Sequence, residues 1–318
     1  MAERVAGTAG WMGEAPARVD GPGKLCGATR YAADAKRDGV LHAAVVRSEV
    51  ARGKLIGIEL DPGFDWTGIV VVTASDIAKN VVAEVEEDLP IVASGEIRHM
   101  YEPVALLACE DPVRLERAKA HVRVEVEALP AVLTIEQALA CEAVIYGTDN
   151  VMRRCGVEQG DAPSAIEASE VKVRGTYRVG HQEHVYLEPQ VMVAWWDGDG
   201  VHVEGSLQCP YYVHHALVHA LGEPNDRVQV RQAVTGGAFG GKEDYPSVIA
   251  LQMALLSRKA GGRAVRIVFD RKEDIEATTK RHPARVELQS GCDRDGTLRA
   301  LEAKVVLDAG AYHTLTPV

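Results

Sequence analysis

The sequence has no C-x-x-C pair. Its six cysteines, Cys26, Cys109, Cys141, Cys155, Cys209 and Cys292, are scattered. Neither a zinc knuckle nor an iron–sulfur cluster therefore has local support, and such isolated cysteines read as small buried hydrophobes. Basic charge is also short. The 35 Lys and Arg stand against 46 Asp and Glu, a net charge of −11. That argues against nucleic acid as the main partner, because phosphate binding needs clustered cations. No apolar run reaches the length of a transmembrane helix. Residues Met1 to Gly13 hold Glu3 and Arg4 but no apolar core, so no secretory signal is visible and a cytoplasmic location is expected. Internal repeats and low-complexity segments are also missing.

What is present suits a soluble globular chain. Its 318 residues allow two domains and a substantial core, and 47% hydrophobic with 25% charged residues is ordinary. Residues 1–17 read as a loose, glycine-rich tail. Leu41–Arg47, Lys54–Leu60 and Ile69–Thr73 read as strands. Ser75 is placed to cap a brief helix, Asp76–Lys79. The continuous apolar run Val104–Cys109 suits a buried strand. Asp111-Pro112 opens a helix, and His121–Glu127 alternates as a half-buried strand. Thr134 and Gln137 form a capping box for a helix through Ala140. Residues 141–168 are polar and turn-rich and read as a connector without core elements.

Beyond it, Val171–Val179, Val191–Trp196 and Val201–Leu207 read as strands, the last two joined by the hairpin signal Asp197-Gly198-Asp199-Gly200. Pro210–Leu221 reads as a helix ended by Gly222. Val228–Val234, Ala264–Phe269, Ala284–Gln289 and Leu298–Leu307 complete the strands, with Asp293-Arg294-Asp295-Gly296 turning the final pair. Strands and helices mix without strict alternation, which indicates an α+β fold.

The densest signal is Gly236-Gly237-Ala238-Phe239-Gly240-Gly241-Lys242-Glu243. Glycines let backbone N–H groups approach a ligand where any Cβ would collide. A helix follows, Pro246–Lys259, and a helix N-terminus behind such a loop suits an anionic group. A nucleotide-phosphate loop is excluded. Gly236, Gly241 and Lys242 satisfy its first part, but Glu243 stands where Ser or Thr must hold Mg²⁺. The alternation of a dinucleotide fingerprint is also absent. The plain alternative is a glycine-rich turn between a strand and a helix.

Histidines cluster twice. His181, Glu183, His184 and Glu188 bridge a turn, and His214, His215 and His219 share a helix, His215 and His219 at i, i+4. The first set lacks the i, i+4 histidine spacing of the zinc helix motif, the second shows no third convergent ligand, and surface or core roles suit both better. Gly205-Ser206 lacks the flanks of a nucleophile elbow. Gln208 sits between a strand and the helix at Pro210. A neutral amide there can donate to a ligand oxygen, although a polar turn residue is the plainer reading.

Several stretches together resemble the xanthine dehydrogenase and aldehyde oxidase family. The loop Gly236–Glu243 is similar to the family's molybdenum-site loop. His42-Ala43-Ala44-Val45-Val46-Arg47-Ser48 and Pro103–Ala108 resemble strands of its small hammerhead domain. Gln182-Glu183-His184-Val185-Tyr186-Leu187-Glu188-Pro189 resembles the entry to its molybdopterin-binding region. Lys280–Ala284 and Asp308–Tyr312 resemble segments downstream. The matches run collinearly from about Lys24 to the last residue.

The resemblance implies an α/β-hammerhead domain at 18–130, a connector at 131–168, and at 169–318 the first part of a mixed α+β molybdopterin-binding domain, truncated. It implies oxidative hydroxylation of a purine-like N-heterocycle or an aldehyde, with water as the oxygen source. The cofactor implied is molybdenum on molybdopterin, in the cytosine dinucleotide form common in bacterial relatives. Electrons would pass to iron–sulfur and FAD subunits or domains. Partners implied are the remaining half of the molybdenum subunit and those two redox subunits, beside a small-molecule substrate.

By residue, Gln208 matches a glutamine that bonds an oxygen ligand of molybdenum. Phe239 and Gly240 match backbone lying over the metal, with Gly237 in the same cofactor-binding loop. Glu243 matches a substrate-facing position of the purine-hydroxylating branch. No residue is a direct metal ligand. The family's general-base glutamate belongs to a segment absent from this chain, and Glu183, Glu188 and Glu243 are not assigned to that role. On this reading the chain alone is incomplete and inactive. The alternative is a non-catalytic assembly module or a truncated product.

Overall fold

The computed structural model describes residue 15, residues 17–35 and residues 37–316. Most of the expected tail, residues 1–17, lies outside the described residues. Helix α1 (Gly21–Leu25) precedes strands β1 (Leu41–Arg47), β2 (Gly53–Leu60), β3 (Val70–Val72), β4 (Glu96–Ile97) and β5 (Pro103–Cys109). Helix α2 (Pro112–Ala120), strand β6 (Val122–Ala128), and helices α3 (Ile135–Ala140) and α4 (Ala162–Ala168) follow. Then come β7 (Val171–Val179), β8 (Val191–Asp197), β9 (Gly200–Gly205), α5 (Pro210–Leu221), β10 (Val228–Gln232) and α6 (Tyr245–Lys259). The series ends with β11 (Val265–Val268), α7 (Arg271–Ala277), β12 (Ala284–Cys292) and β13 (Leu298–Leu307). This is the expected α+β class.

Local chemistry sets many boundaries. Asp111 caps α2 by accepting from Val113 N–H at 2.8 Å, with Pro112 in the first turn where its missing N–H costs nothing. Thr134 caps α3 through Gln137 N–H at 3.1 Å. The reciprocal Gln137 bond goes instead to Leu133 N–H, one residue before the cap. Gly222, at φ +66°, ends α5 in the left-handed region.

Four readings need correction. The cysteines are not buried hydrophobes as a set: Cys109 is buried, but Cys26, Cys141 and Cys155 are exposed. The helix at Asp76–Lys79 is a short 3₁₀ turn, Ala74–Asp76, entered from Thr73. Asp76 accepts from Thr73 N–H at 2.9 Å and closes the chain locally, the side-chain competition that favours turns over helices. The connector is not free of core structure. Asp161 caps α4 through Ser164 N–H, and Ile166 is buried where α4 packs on β12 and β13. Helix α7, which sequence reading passed over, is capped by Asp270 through Glu273 N–H at 2.7 Å.

The main sheet has seven strands in the order β10-β9-β8-β11-β1-β5-β3. It draws on both sequence segments. β1 pairs antiparallel with β5 on one side and parallel with β11 on the other, Leu41 opposite Val265. The segments 18–130 and 169–318 thus share one core. β5 lies inside this sheet and is buried along its whole length, as its uninterrupted apolar run requires. Helix α6 crosses the sheet, and every residue from Tyr245 to Ser257 is buried. A helix apolar on all sides belongs inside. Among its polar members, Ser257 Oγ donates to Arg263 O at 2.7 Å and Gln252 Nε2 donates to Ile91 O at 3.1 Å, while Ser247 Oγ and Gln252 Oε1 have no hydrogen-bond partner. Two three-stranded sheets stand beside the main one, in the orders β4-β2-β6 and β13-β12-β7.

Candidate functional site

The glycine loop leaves the edge strand β10 and returns to the buried helix α6. Between these fixed ends Gly237, Phe239 and Gly240 take φ of +107°, +52° and +93°. Glycine accepts such angles freely, whereas a side chain there costs on the order of 1–2 kcal/mol. Phe239 bears that cost while its ring is 80% exposed. The strain turns an aromatic outward, the sort of outlier that marks functional backbone.

Beneath the loop two of the glycines are tightly packed. A Cβ on Gly236 would stand 2.7 Å from Glu188 Cβ, and one on Gly241 only 2.6 Å from the Tyr186 ring. Glu188 Oε2 accepts from Gly236 N–H (2.7 Å), Ser206 Oγ (2.6 Å) and Lys242 Nζ (3.0 Å). Lys242 is wholly buried, also donates to Ser206 Oγ at 2.8 Å, and lies 4.7 Å from the centre of the Tyr186 ring. Burial pushes the Lys242 ammonium down from its ordinary range, and the Glu188 carboxylate opposes that shift. Gln190 Nε2 donates to Gly241 O and to Tyr186 Oη, each at 2.9 Å. Tyr186 Oη donates to Asp274 Oδ1 at 3.0 Å, and Arg271 donates to Asp274 Oδ2 at 3.1 Å. Burial drives the Asp274 carboxyl up despite these partners.

Gln208 braces the loop from the side. Its N–H donates to Lys242 O at 2.7 Å. Its Oε1 accepts from Gly240 N–H at 3.1 Å and Lys242 N–H at 3.3 Å. Two N–H donors aimed at one atom fix it as the oxygen and leave the –NH₂ to donate elsewhere. Gly240 N–H is therefore engaged inside the protein. Glu243 is exposed, with Oε1 3.7 Å from where a Gly240 Cβ would be. Gln208, Gly237, Phe239, Gly240 and Glu243 thus gather around one loop.

Other candidates fall elsewhere. The start of α6 does not offer an anion site. Asp244 occupies it, accepting from Tyr245 N–H at 2.6 Å, and burial pushes its carboxyl up. Its side chain already fills the helix end that was expected to hold an anion. Lys242 points inward, away from any ligand. His215 Nδ1 lies 3.2 Å from Ala83 O, and His219 Nε2 pairs with Glu87 at 2.7 Å. Among the described residues no group of three or more His, Cys, Asp or Glu is arranged to hold a metal ion. Glu183 pairs with Lys280 at 2.5 Å, and His184 Nδ1 is buried without a hydrogen-bond partner beside Gly241. Sequence reading missed Tyr186, Gln190, Ser206, Lys242 and Asp274 as supports. The apolar and polar mix of Tyr186–Gln190 between two strands was the available signal.

Residues 146–318, more than half the chain, match the molybdopterin cofactor-binding domain, and residues 26–130 match the aldehyde oxidase and xanthine dehydrogenase a/b hammerhead domain. The chain belongs to this molybdopterin-binding family. It is 29% identical over 310 residues to the nicotinate dehydrogenase large molybdopterin subunit of Eubacterium barkeri, covering 96% of this chain and 72% of that one. It is 29% identical over 319 residues to the xanthine dehydrogenase molybdenum-binding subunit of Escherichia coli O157:H7, covering 93% of this chain and 41% of that one. Among solved structures, quinoline 2-oxidoreductase from Pseudomonas putida 86 superposes with a TM-score of 0.85 at 29% identity, over 93% of this chain and 39% of that chain. Aldehyde oxidoreductase from Desulfovibrio gigas superposes at 0.83 with 23% identity over 92% of this chain and 34% of that one, a likeness of fold. The chain therefore spans well under half of three of these four relatives. Among the described residues no helix is long and apolar enough to cross a membrane.

Proposed function

We propose that this chain forms one wall of the molybdopterin site in a molybdenum hydroxylase large subunit, and that it works only when the rest of that subunit is present. The observation that carries the reading is the brace of Gln208 on Gly240 and Lys242 beside the exposed, strained Phe239. The donor set suits the group. It offers a neutral amide –NH₂ and an aromatic face, and among the described residues no group of three or more His, Cys, Asp or Glu is arranged to hold a metal ion, which fits a metal held by its pterin rather than by side chains.

When bound, the group supplies the two-electron oxidation that side chains cannot perform. The chain's own residues orient. Gln208, its oxygen held by two backbone N–H groups, would use its –NH₂ to hold the group by donating to an oxygen of it. Gly237 and Gly240 keep Cβ atoms out of the approach. Phe239 excludes water from one side. The Glu243 carboxylate accepts a hydrogen bond from a ring N–H of an electron-poor heterocycle, which favours a purine-like substrate over an aldehyde. No residue here is assigned as general base. The cytosine dinucleotide form of the cofactor, with iron–sulfur and FAD subunits as electron acceptors, completes the reading, and the location is cytoplasmic.

Elemental analysis tests it. The purified chain should hold molybdenum far below one equivalent and show no turnover, while the completed subunit should hold one. Stoichiometric molybdenum on the isolated chain would sink the reading. In the completed enzyme, Glu243→Ala should raise KM for a heterocycle and leave KM for an aldehyde unchanged.

A further inference from the structure

The sheet β13-β12-β7 leaves an apolar face open to solvent, as well as its polar one. Its register places Leu307, Val305, Ala303 and Leu301 of β13 on the same face as Ala284, Val286 and Leu288 of β12. Val179, Tyr177, Gly175, Val173 and Val171 of β7 join that face. The opposite face carries Arg178, Arg285, Thr176, Glu287, Lys304, Arg174, Gln289 and Glu302. An antiparallel sheet normally buries the first kind of face and wets the second. Here the valines, leucines and tyrosine of that face on the two outer strands are 38% to 55% exposed, and none of them belongs to a hydrophobic core cluster. Helix α4 instead meets the polar side, where a Cβ on Gly291 would strike Ser169 at 2.3 Å.

The face is large. Three strands of nine or ten residues, at ~3.3 Å per residue and ~4.8 Å between strands, span on the order of 400 Å² before side-chain relief. That is about the largest apolar patch a soluble monomer tolerates, and an interface needs roughly 800 Å² per partner. Both outer strands also keep an unpaired backbone edge within this sheet, ready to pair. The face runs into the site. Past Val179 and Ala284 the ladder continues as the Gln182–Arg281 bridge, which leads to His184 beside Gly240.

We propose that this apolar face, centred on Val173, Tyr177 and Val305, is the docking surface for the part of the molybdenum subunit that this chain does not span. The choice of partner rests on the function proposed above; the surface itself does not. The relatives supply the argument for that occupant. The quinoline 2-oxidoreductase chain superposes over nearly all of this one and has 61% of its own length left over (100% minus the 39% covered). A layer docked here extends directly to the open side of the Phe239 loop, so the same contact that buries the face closes the site.

The test co-expresses the tagged chain with the polypeptide encoded by the DNA directly downstream of its last codon, whether that DNA continues the same reading frame or opens the next one. One-to-one co-purification is expected. Val173→Glu and Val305→Glu should each weaken it about a hundredfold, by charging an apolar contact at the centre of an interface. Lys304→Glu, on the opposite face of the same strand, should leave it intact. Circular dichroism melts of the variants alone should match the parent, since both valines are already exposed. Failure to co-purify, or pairing indifferent to both valine changes, overturns the proposal. So does a homodimer in light scattering that the valine changes dissolve, which would make the occupant a second copy. A complex that forms through this face but takes up no molybdenum rejects the proposed function and leaves the interface standing.

Discussion

Lys242 Nζ lies 3.0 Å from Glu188 Oε2, and the lysine side chain has no exposed surface. The pair joins the loop that carries Phe239 to the segment between β7 and β8. A buried ion pair adds little net stability compared with apolar packing, but leaving one member alone is costly. Its value here is registration, because the same carboxylate oxygen also holds Gly236 N–H and Ser206 Oγ.

Lys242→Met should therefore destabilise the chain by about 3–5 kcal/mol, the cost of stranding a buried carboxylate. Adding Glu188→Gln should return part of that loss, because the double variant has no unpaired charge. Urea denaturation followed by circular dichroism gives both values. Equal stability of Lys242→Met and the parent would refute the buried pair.

Gly241→Ala is expected to cost about 1–3 kcal/mol through overpacking. The added methyl would stand 2.6 Å from a buried Tyr186 ring and 2.8 Å from the His184 ring. Gly198→Ala is the control, since nothing lies within 4 Å of its would-be Cβ. A melting temperature lowered by the control as much as by Gly241→Ala would show that the loop can yield.

Where the sequence could be read depended on the range of the forces. Caps and turns act over three or four residues, so Asp111, Thr134 and Gly222 announced their helices. Helix α6 and strand β5 were legible because unbroken apolar composition already demands burial. The shared main sheet was not. It hinges on Leu41 lying beside Val265, a pairing of distant segments that no local pattern encodes. The same limit hid the inward turn of Lys242, whose partner Glu188 lies 54 positions away. Helices α4 and α7 were passed over because each has only seven residues, too few for a helical repeat to show. Gln208 was a bare turn residue on spacing alone, and only collinear resemblance raised it; the brace to Gly240 then supplied a physical reason for an amide at that place.

Gln208→Glu separates the brace from the donor. A carboxylate keeps the oxygen that accepts from Gly240 and Lys242 N–H, and removes the –NH₂. The chain should melt within about 1 kcal/mol of the parent. In the completed enzyme kcat/KM should fall by a factor on the order of 10²–10³, the usual cost of losing one directed donor at a reacting centre. Gln208→Ala should lose both stability and rate. Parental kcat/KM in Gln208→Glu would remove the donor from the mechanism.

Glu84 makes stability depend on pH in an unusual direction. Burial pushes its carboxyl from 4.5 up to about 8, and the neighbouring Asp244 adds to the shift. Its Oε1 is buried without a hydrogen-bond partner. Between those two values the folded chain keeps a proton that the unfolded chain has released. The slope of unfolding free energy with pH is then negative, so stability falls as pH rises from about 4.5 to about 8. Asp244, raised by the same burial, acts in the same direction. The loss over that window should be about 2–4 kcal/mol. Glu84→Gln, which cannot ionise, should flatten most of it and exceed the parent in stability at pH 8. Urea midpoints at pH 5, 6, 7 and 8 decide the matter: a parent that gains stability across this range, or a variant with the parent's slope, is incompatible with a buried neutral Glu84.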